Sequence, residues 1–218
     1  MEPKMKVVAG IYLPESDEHF ADHLEGSPLY RGFATYQLKK YQRALEFVKG
    51  RRMAVDVGAH VGLWSMMMRH DFKAILAFEP MAEHIACYKK NLEGRSNVTL
   101  HEIALGAEAG EAKMSPTAAN SGNAHINPRG RRKVEVKRLD DFNFNHLDFL
   151  KIDVEGFELD VLRGGEKTIR HFKPVCIVEQ KPGNAERFGY GQTEAVSLLK
   201  SWGAKLYFEK GGDFCLGW

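Results

Sequence analysis

Cysteine is scarce in this chain. Its 218 residues hold three, Cys87, Cys176 and Cys215, far apart and with no C-x-x-C pair. A disulfide framework is therefore not expected, and a reduced, cytoplasmic setting is. An excess of one charge is also missing. With 31 basic against 29 acidic residues the formal net charge is +2. A general nucleic-acid binder is usually more basic, so nucleic acid is disfavoured as a partner. No apolar run approaches the ~18 residues of a membrane span. The opening residues MEPKMKVVAG lack the apolar core of a signal peptide, so none is expected. No internal repeat or low-complexity segment is present. The length suits one substantial α/β domain with a single core. We read residues 1–50 as an N-terminal helical cap segment and 51–218 as the main domain of one globular unit.

The stretch organising the rest is Met53–Gly62, MAVDVGAHVG. Met53, Ala54, Val55 and Val57 read as a buried strand, with Asp56 at its C-terminal end. Gly58, Ala59 and Gly62 then turn the backbone into a helix near Leu63. A strand, a glycine turn and a helix start predict free N–H groups and an anion-binding corner. In open α/β sheets, ligands sit at such carboxyl ends of strands.

Taken in order, residues 1–26 are the least readable. Val7–Leu13 suggests a short strand. His19 and His23 have the i, i+4 metal spacing of a helix, but no third ligand is near, and a solvated turn or irregular helix is the expectation. Thr35–Val48 has helical periodicity with Thr35 as cap and Gly50 as stop. Tyr30, Tyr36 and Gln37 could roof the glycine turn or simply pack. Helices follow at 63–70 and 81–92, and strands at 74–78 and 97–105. This βαβαβ order implies parallel strands with right-handed crossovers. Residues 106–133 read as a long irregular insertion, and 133–139 as a strand. The run Arg129–Arg138 carries six basic residues that could meet an anionic substrate or merely be solvated. Strands at 149–154 and 175–178, helices at 157–171 and 193–202, and a hairpin around Gly211–Gly212 complete the chain.

Four strand ends carry an acid: Asp56, Glu79, Asp153 and Glu179. In a parallel sheet this lines the ligand edge with carboxylates. Glu79, 23 positions beyond Asp56, is placed to accept the two hydroxyls of a ribose. A dinucleotide site wants G-x-G-x-x-G, whereas this turn is D-x-G-x-x-x-G. An acid at 56 would repel a pyrophosphate but suits a cofactor with a cationic amino-acid end, such as S-adenosylmethionine.

The pieces VDVGAHVGLWS (55–65), AFEP (77–80), NVTLHEIALG (97–106), RLDDF (138–142), FLKIDVEGFELDVLRGG (149–165) and PVCIVEQ (174–180) together resemble the FkbM-type methyltransferases. These are S-adenosylmethionine-dependent enzymes, mostly O-methyltransferases of sugars and polyketides. The likeness runs from about residue 35 to 181. It implies a Rossmann-like class I methyltransferase fold: a seven-stranded, mostly parallel sheet whose last two strands come from the C-terminal antiparallel hairpin. It also implies that Asp56, Gly58, Ala59, His60 and Gly62 meet the amino-acid end of the cofactor. Glu79, followed by Pro80, would hold the ribose, and Ala104, with Leu105, would lie by the adenine. His60 replaces an asparagine common in the family and would serve through its backbone.

An alcohol is a poor nucleophile, so a base or a metal is expected to help. The candidates for catalysis are Asp153, Lys151, Glu155, Glu179 and His125. Asp153 could instead bind the cofactor's ammonium or Mg²⁺. Glu155 could equally cap the following helix, and His125 could be a solvated loop residue. The expected acceptor is a small, carbohydrate-like hydroxyl compound. A homo-oligomer, or a site completed by a partner subunit, stays open. The alternatives are a nucleic-acid methyltransferase, a non-catalytic cofactor-binding subunit and a nicotinamide oxidoreductase. An Asp/Asn-Pro-Pro-aromatic box is absent after Ile152, which counts against methylation of amino groups in DNA. The glycine spacing counts against the oxidoreductase.

Overall fold

Short apolar runs build the centre of the molecule, and their covering helices decide which side chains point where. The computed structural model of the chain describes residues 3–115 and 120–218. The N-terminal part holds β1 (Met5–Val8), β2 (Ile11–Pro14), α1 (His19–Leu24), β3 (Leu29–Tyr30), β4 (Phe33–Ala34) and α2 (Leu38–Leu45). Next come β5 (Met53–Val57), α3 (Leu63–Met68), β6 (Ala74–Phe78), α4 (Ala82–Asn91) and β7 (Val98–His101). A second group is β8 (Ala104–Leu105), β9 (Gly110–Ser115), β10 (His125–Ile126) and β11 (Arg132–Lys137). The chain ends with β12 (Phe149–Ile152), α5 (Glu158–Gly164), α6 (Glu166–Phe172), β13 (Val175–Glu179), α7 (Glu194–Ser201), β14 (Lys205–Lys210) and β15 (Asp213–Gly217).

Seven of these strands form the main sheet in the order β14-β15-β13-β12-β5-β6-β7. β5, β6, β7, β12 and β13 run parallel, while β15 is antiparallel to both β13 and β14. The chain leaves β5 in one direction, through β6 and β7, and returns to β12 on its other side. The ends of β5 and β12 are thus a topological switch point, where such sheets bind ligands. Helices cover both faces, so the central strands are apolar on both sides. Alternate residues divide between two cores. Ala54, Phe149 and Ile177 pack with Tyr41, Trp64 and Met67. Val55, Leu150 and Cys176 pack with Leu162, Ile169 and Leu199.

Several expectations need correction. The 97–105 strand is two: β7 pairs with β6, whereas β8 switches to pair with β11. Ile103 and Leu105 continue the apolar run, which hides the switch. The 106–133 insertion is not irregular throughout, because β9 pairs with both β10 and β11. The 157–171 helix breaks at Gly164–Gly165. A Cβ on Gly164 would lie 1.9 Å from the Gly106 carbonyl oxygen, a close approach only glycine permits. Thr35 does not cap α2; its hydroxyl donates to the Pro28 carbonyl at 2.5 Å. The 1–50 segment is mixed rather than helical, with two hairpins beside its two helices. It packs Ile11, Leu13, Phe20 and Leu24 against Val61, Met66 and Tyr88. The three cysteines are buried and unpaired. No helix among the described residues is long and apolar enough to cross a membrane.

Candidate active site

Register brings the first charged pair together. Lys151 of β12 lies directly beside Asp56 of β5. Its ammonium donates to the Gly58 carbonyl at 2.8 Å and stands 3.3 Å from Asp56 and 3.8 Å from Asp153. Asp56 is 0% exposed, and its other oxygen accepts the Ser65 hydroxyl at 2.7 Å. Burial works against the Lys151 charge, but the carboxylates of Asp56 and Asp153 outweigh it and raise its pKa. Lys151 therefore stays an ammonium and does not fit the role of base. Asp56 lines neither of the cavities described below, whereas its partner Lys151 lines the second.

The glycine turn also differs from the anion corner read in the sequence. The N–H groups of Gly58 and Ala59 both donate to the Phe78 carbonyl at 3.0 Å, and that of Gly62 to Ala59 at 2.8 Å. The His60 N–H donates to Glu79 at 2.8 Å. These four donors are spent inside the protein. Gly58 has φ +74°, and a Cβ there would lie 1.8 Å from the Asp153 carbonyl oxygen, so the turn rests on the end of β12. Gly62 packs on Tyr88 and Leu92.

Beyond β12 and β13 three carboxylates converge. Oxygens of Asp153, Glu155 and Glu179 lie within 4.8 Å of one another. Glu155 adopts φ +57° and accepts a hydrogen bond from the Asn184 amide at 2.8 Å. It does not cap α5, whose start carries no side-chain cap; Glu158 instead holds the preceding loop, accepting the N–H groups of Val154 and Gly156 at 3.0 Å each. Burial, helped by Asp153, pushes the Glu155 carboxyl up to about 7. Burial and Asp153 push Glu179 further, to about 9, even with Lys181 only 2.5 Å away. Burial raises Glu158 to about 7 as well.

These raised values set a sign for stability. An unfolded glutamate loses its proton near ~4.3, while these three keep theirs in the fold. The native state then binds more protons than the unfolded one, so stability falls as pH rises. The contribution of Glu155 and Glu179 is isolated by comparison: the Tm of the ligand-free wild type relative to a Glu155→Gln, Glu179→Gln double variant should fall between about pH 5 and 7. A difference that is flat or rising across that window contradicts the assignment.

Two cavities share this edge. The first, of about 560 Å³, is lined by Glu79, Pro80, Ile103, Ala104, Leu105 and Phe157. Glu79 already accepts hydrogen bonds from the N–H groups of Met81 and His60, and His84 stands at 3.1 Å. Its carboxylate is thus rigidly aimed at the cavity edge. The second, of about 590 Å³, holds Lys151, Glu179, Lys181, Ala59, Tyr36 and Trp64. Gly58, His60, Gly122, Asp153 and Glu155 line both cavities, which are therefore two halves of one cleft.

The structure thus brings together Gly58, Ala59, His60, Glu79, Pro80, Ala104, Leu105, Lys151, Asp153, Glu155 and Glu179. It leaves Asp56, Gly62 and His125 outside the linings. The His125 ring turns to the Asn123 carbonyl at 2.9 Å. Tyr36 reaches the cleft, whereas Tyr30 donates to Asp71 and Gln37 accepts from Trp64. In the basic run, Arg132, Lys133, Lys137 and Arg138 pair with Glu83, Glu111, Glu135 and Asp141, and none lines the cleft. The His19–His23 pair gathers no third ligand among the described residues.

The insertion also supplies lining to the Glu79 half of the cleft. Met114, Ala124 and Ile126 cover the Glu79 cavity. Ser121 fixes this cover: its hydroxyl donates to Asp17, and the His60 Nε2 lies 2.6 Å from its oxygen. Burial, with His84 nearby, holds the His60 pKa well below its ordinary value, so the ring is neutral. His60 thus acts through its side chain as well as its backbone.

A switch-point cleft on this sheet defines a class I methyltransferase fold. The model of the methyltransferase FkbM domain matches residues 56–206, and the chain belongs to that family. Among curated proteins it is similar to methyltransferase 1 of Beauveria bassiana, 29% identical over 141 residues, covering 50% of this chain and 57% of that protein. It is also similar to methyltransferase sdnD of Sordaria araneosa, 28% identical over 152 residues, covering 50% of this chain and 59% of that protein. The matched region is less than two thirds of either relative. Among solved structures, the methyltransferase FkbM of Methylobacillus flagellatus KT superposes with a TM-score of 0.50 at 19% identity, covering 77% of this chain and 43% of that one. The N-methyltransferase NodS of Bradyrhizobium japonicum WM9, in complex with S-adenosyl-L-homocysteine, gives 0.52 at 10% identity, covering 93% and 92%. These two likenesses concern the fold.

Proposed function

We propose that this chain transfers a methyl group from S-adenosylmethionine to a hydroxyl of a small, carbohydrate-like acceptor. One observation carries the reading. An apolar half-cleft ending in a fixed carboxylate joins, across Gly58 and Asp153, a half-cleft of carboxylates and lysines. The first half suits a nucleoside, with Glu79 on the ribose and Ile103, Ala104, Leu105 and Phe157 around the base. The passage between the halves suits the amino-acid end, with Asp153 toward its ammonium and Gly58, Ala59 and His60 along its length. Four N–H groups of the glycine turn are already bonded within the protein, which counts against a pyrophosphate there and so against a dinucleotide.

S-adenosylmethionine supplies an activated methyl whose C–S bond breaks as the acceptor oxygen bonds to carbon. The protein's part is to hold acceptor and methyl in line in a site closed to water, worth ~7–11 kcal/mol when the geometry is near attack. The insertion and Tyr36 wall the cleft on its outer side. Glu155, with its carboxyl near neutral, is matched to take the hydroxyl proton, while Glu179 keeps its own proton at that pH. Lys151 braces Asp56 and the Gly58 carbonyl.

Glu79 gives the first test. Its replacement by alanine should weaken S-adenosylhomocysteine binding by about 1–3 kcal/mol in calorimetry, the scale of hydrogen bonds to a charged group. An unchanged affinity refutes the ribose assignment. A thermal-shift panel with S-adenosylhomocysteine, NAD and NADP should show stabilisation by the first alone, and stabilisation by NAD or NADP overturns the reading.

A further inference from the structure

The convergence of Asp153, Glu155 and Glu179 is set by the sheet, because they follow or end the neighbouring strands β12 and β13. Carboxylates this close repel unless a positive charge stands among them. The cations at hand are Lys151 and Lys181. Lys151 is drawn to Asp56 and the Gly58 carbonyl, and lies 3.8 Å from Asp153. Lys181 meets one oxygen of Glu179.

A second observation points the same way. The Oε2 of Glu179 has no hydrogen-bond partner, although the residue is 2% exposed. Buried carboxylate oxygens are rarely left so. Glu179 lines the open cavity beside Lys151 and Tyr36, so a group from solvent can reach it. Asp153, with 25% of its side chain exposed, stands at the entrance.

We propose that Asp153, Glu155 and Glu179 form a binding site for one divalent cation of the hard, oxygen-preferring kind, such as Mg²⁺ or Mn²⁺. The donor set is all carboxylate, with no thiol or imidazole, as such ions prefer. One divalent ion relieves the crowding of the three carboxylates and gives the orphaned Glu179 oxygen a partner. Mg²⁺ binds carboxylates at about 2.0–2.1 Å and keeps several waters, so it can leave positions for an acceptor oxygen. Resting on the methyl-transfer reading, a bound cation would orient the acceptor hydroxyl and make it more acidic. Occupancy of the site does not depend on that reading.

The test is titration of Mn²⁺ into the full chain, followed by electron paramagnetic resonance of free Mn²⁺. Glu179→Gln and Glu155→Gln are measured beside it, with S-adenosylhomocysteine affinity and Tm from the same samples. We expect one Mn²⁺ per chain, displaced by Mg²⁺, with affinity lowered about 10–100-fold in each variant. No saturable binding to the wild type, or wild-type affinity in both folded variants, overturns the site. S-adenosylhomocysteine binding without Mn²⁺ binding removes the cation site and leaves the methyl-transfer reading standing. Mn²⁺ binding without S-adenosylhomocysteine binding does the reverse.

Discussion

Replacing Asp153 by asparagine should lower methyl transfer at least ~10²-fold while the fold survives. Asp153 is the strand-end acid that lines both halves of the cleft. It stands 3.8 Å from Lys151 and shares a space with Glu155 and Glu179. Asparagine keeps its shape and removes its charge. The amino-acid end of the cofactor then loses its counter-charge where the methyl is presented. With a quarter of the side chain exposed, the native fold asks little of it, so Tm should move by only a few degrees. The measurement is transfer to an accepted hydroxyl compound, with thermal melts as control. Near-normal turnover sinks the assignment.

Lys151→Met should damage the fold itself, by about 3–5 kcal/mol. Lys151 is 6% exposed and is the cation that faces the fully buried Asp56. Removing one partner of a buried ion pair strands the other charge, whereas removing both costs far less. Asp56→Leu added to Lys151→Met should therefore recover part of the lost stability, short of the Ser65 hydroxyl bond that also disappears. For a chain of this size 1 kcal/mol moves Tm by about 2–4 °C, so the single change should cost roughly 6–20 °C. Urea titration of the two variants checks both values. A single variant as stable as the wild type would show that the pair is not structural.

These two residues mark where the sequence was readable and where it was not. Asp153 ends an apolar run that can only be a buried strand, so its place at the ligand edge follows from periodicity. Glu79 and Glu179 follow likewise, and so do the parallel strands and the Gly211–Gly212 hairpin. The partner of Asp56 does not follow, because the Asp56–Lys151 contact depends on strands 95 residues apart pairing in one register. Without that register, an acid before a glycine turn reads as facing a ligand. The spent N–H groups of the turn are equally hidden, since their acceptor is the Phe78 carbonyl on another strand.

The insertion was legible only in part. β11 alternates and reads as a strand, but β9 has only Ala112 and Met114 as apolar residues and is followed by Pro116. Residues 116–119 lie outside the described part of the chain. The link from Asp17 through Ser121 to His60 joins three distant segments and leaves no local signal. A hint did exist in His60, which stands at φ +51° where the family commonly has asparagine, a residue that tolerates that backbone better. A departure at a strained position indicates that the side chain is held, and here Ser121 and the Phe20 ring hold it.

The central claim is that the two half-clefts are one cofactor and reaction site. A crystal structure with S-adenosyl-L-homocysteine tests it most directly. The account predicts ribose hydroxyls on Glu79, the base beside Leu105 and Phe157, and the sulfur turned toward Asp153 and Glu155. A ligand whose ribose lies away from Glu79, or whose sulfur faces away from the three carboxylates, would contradict it.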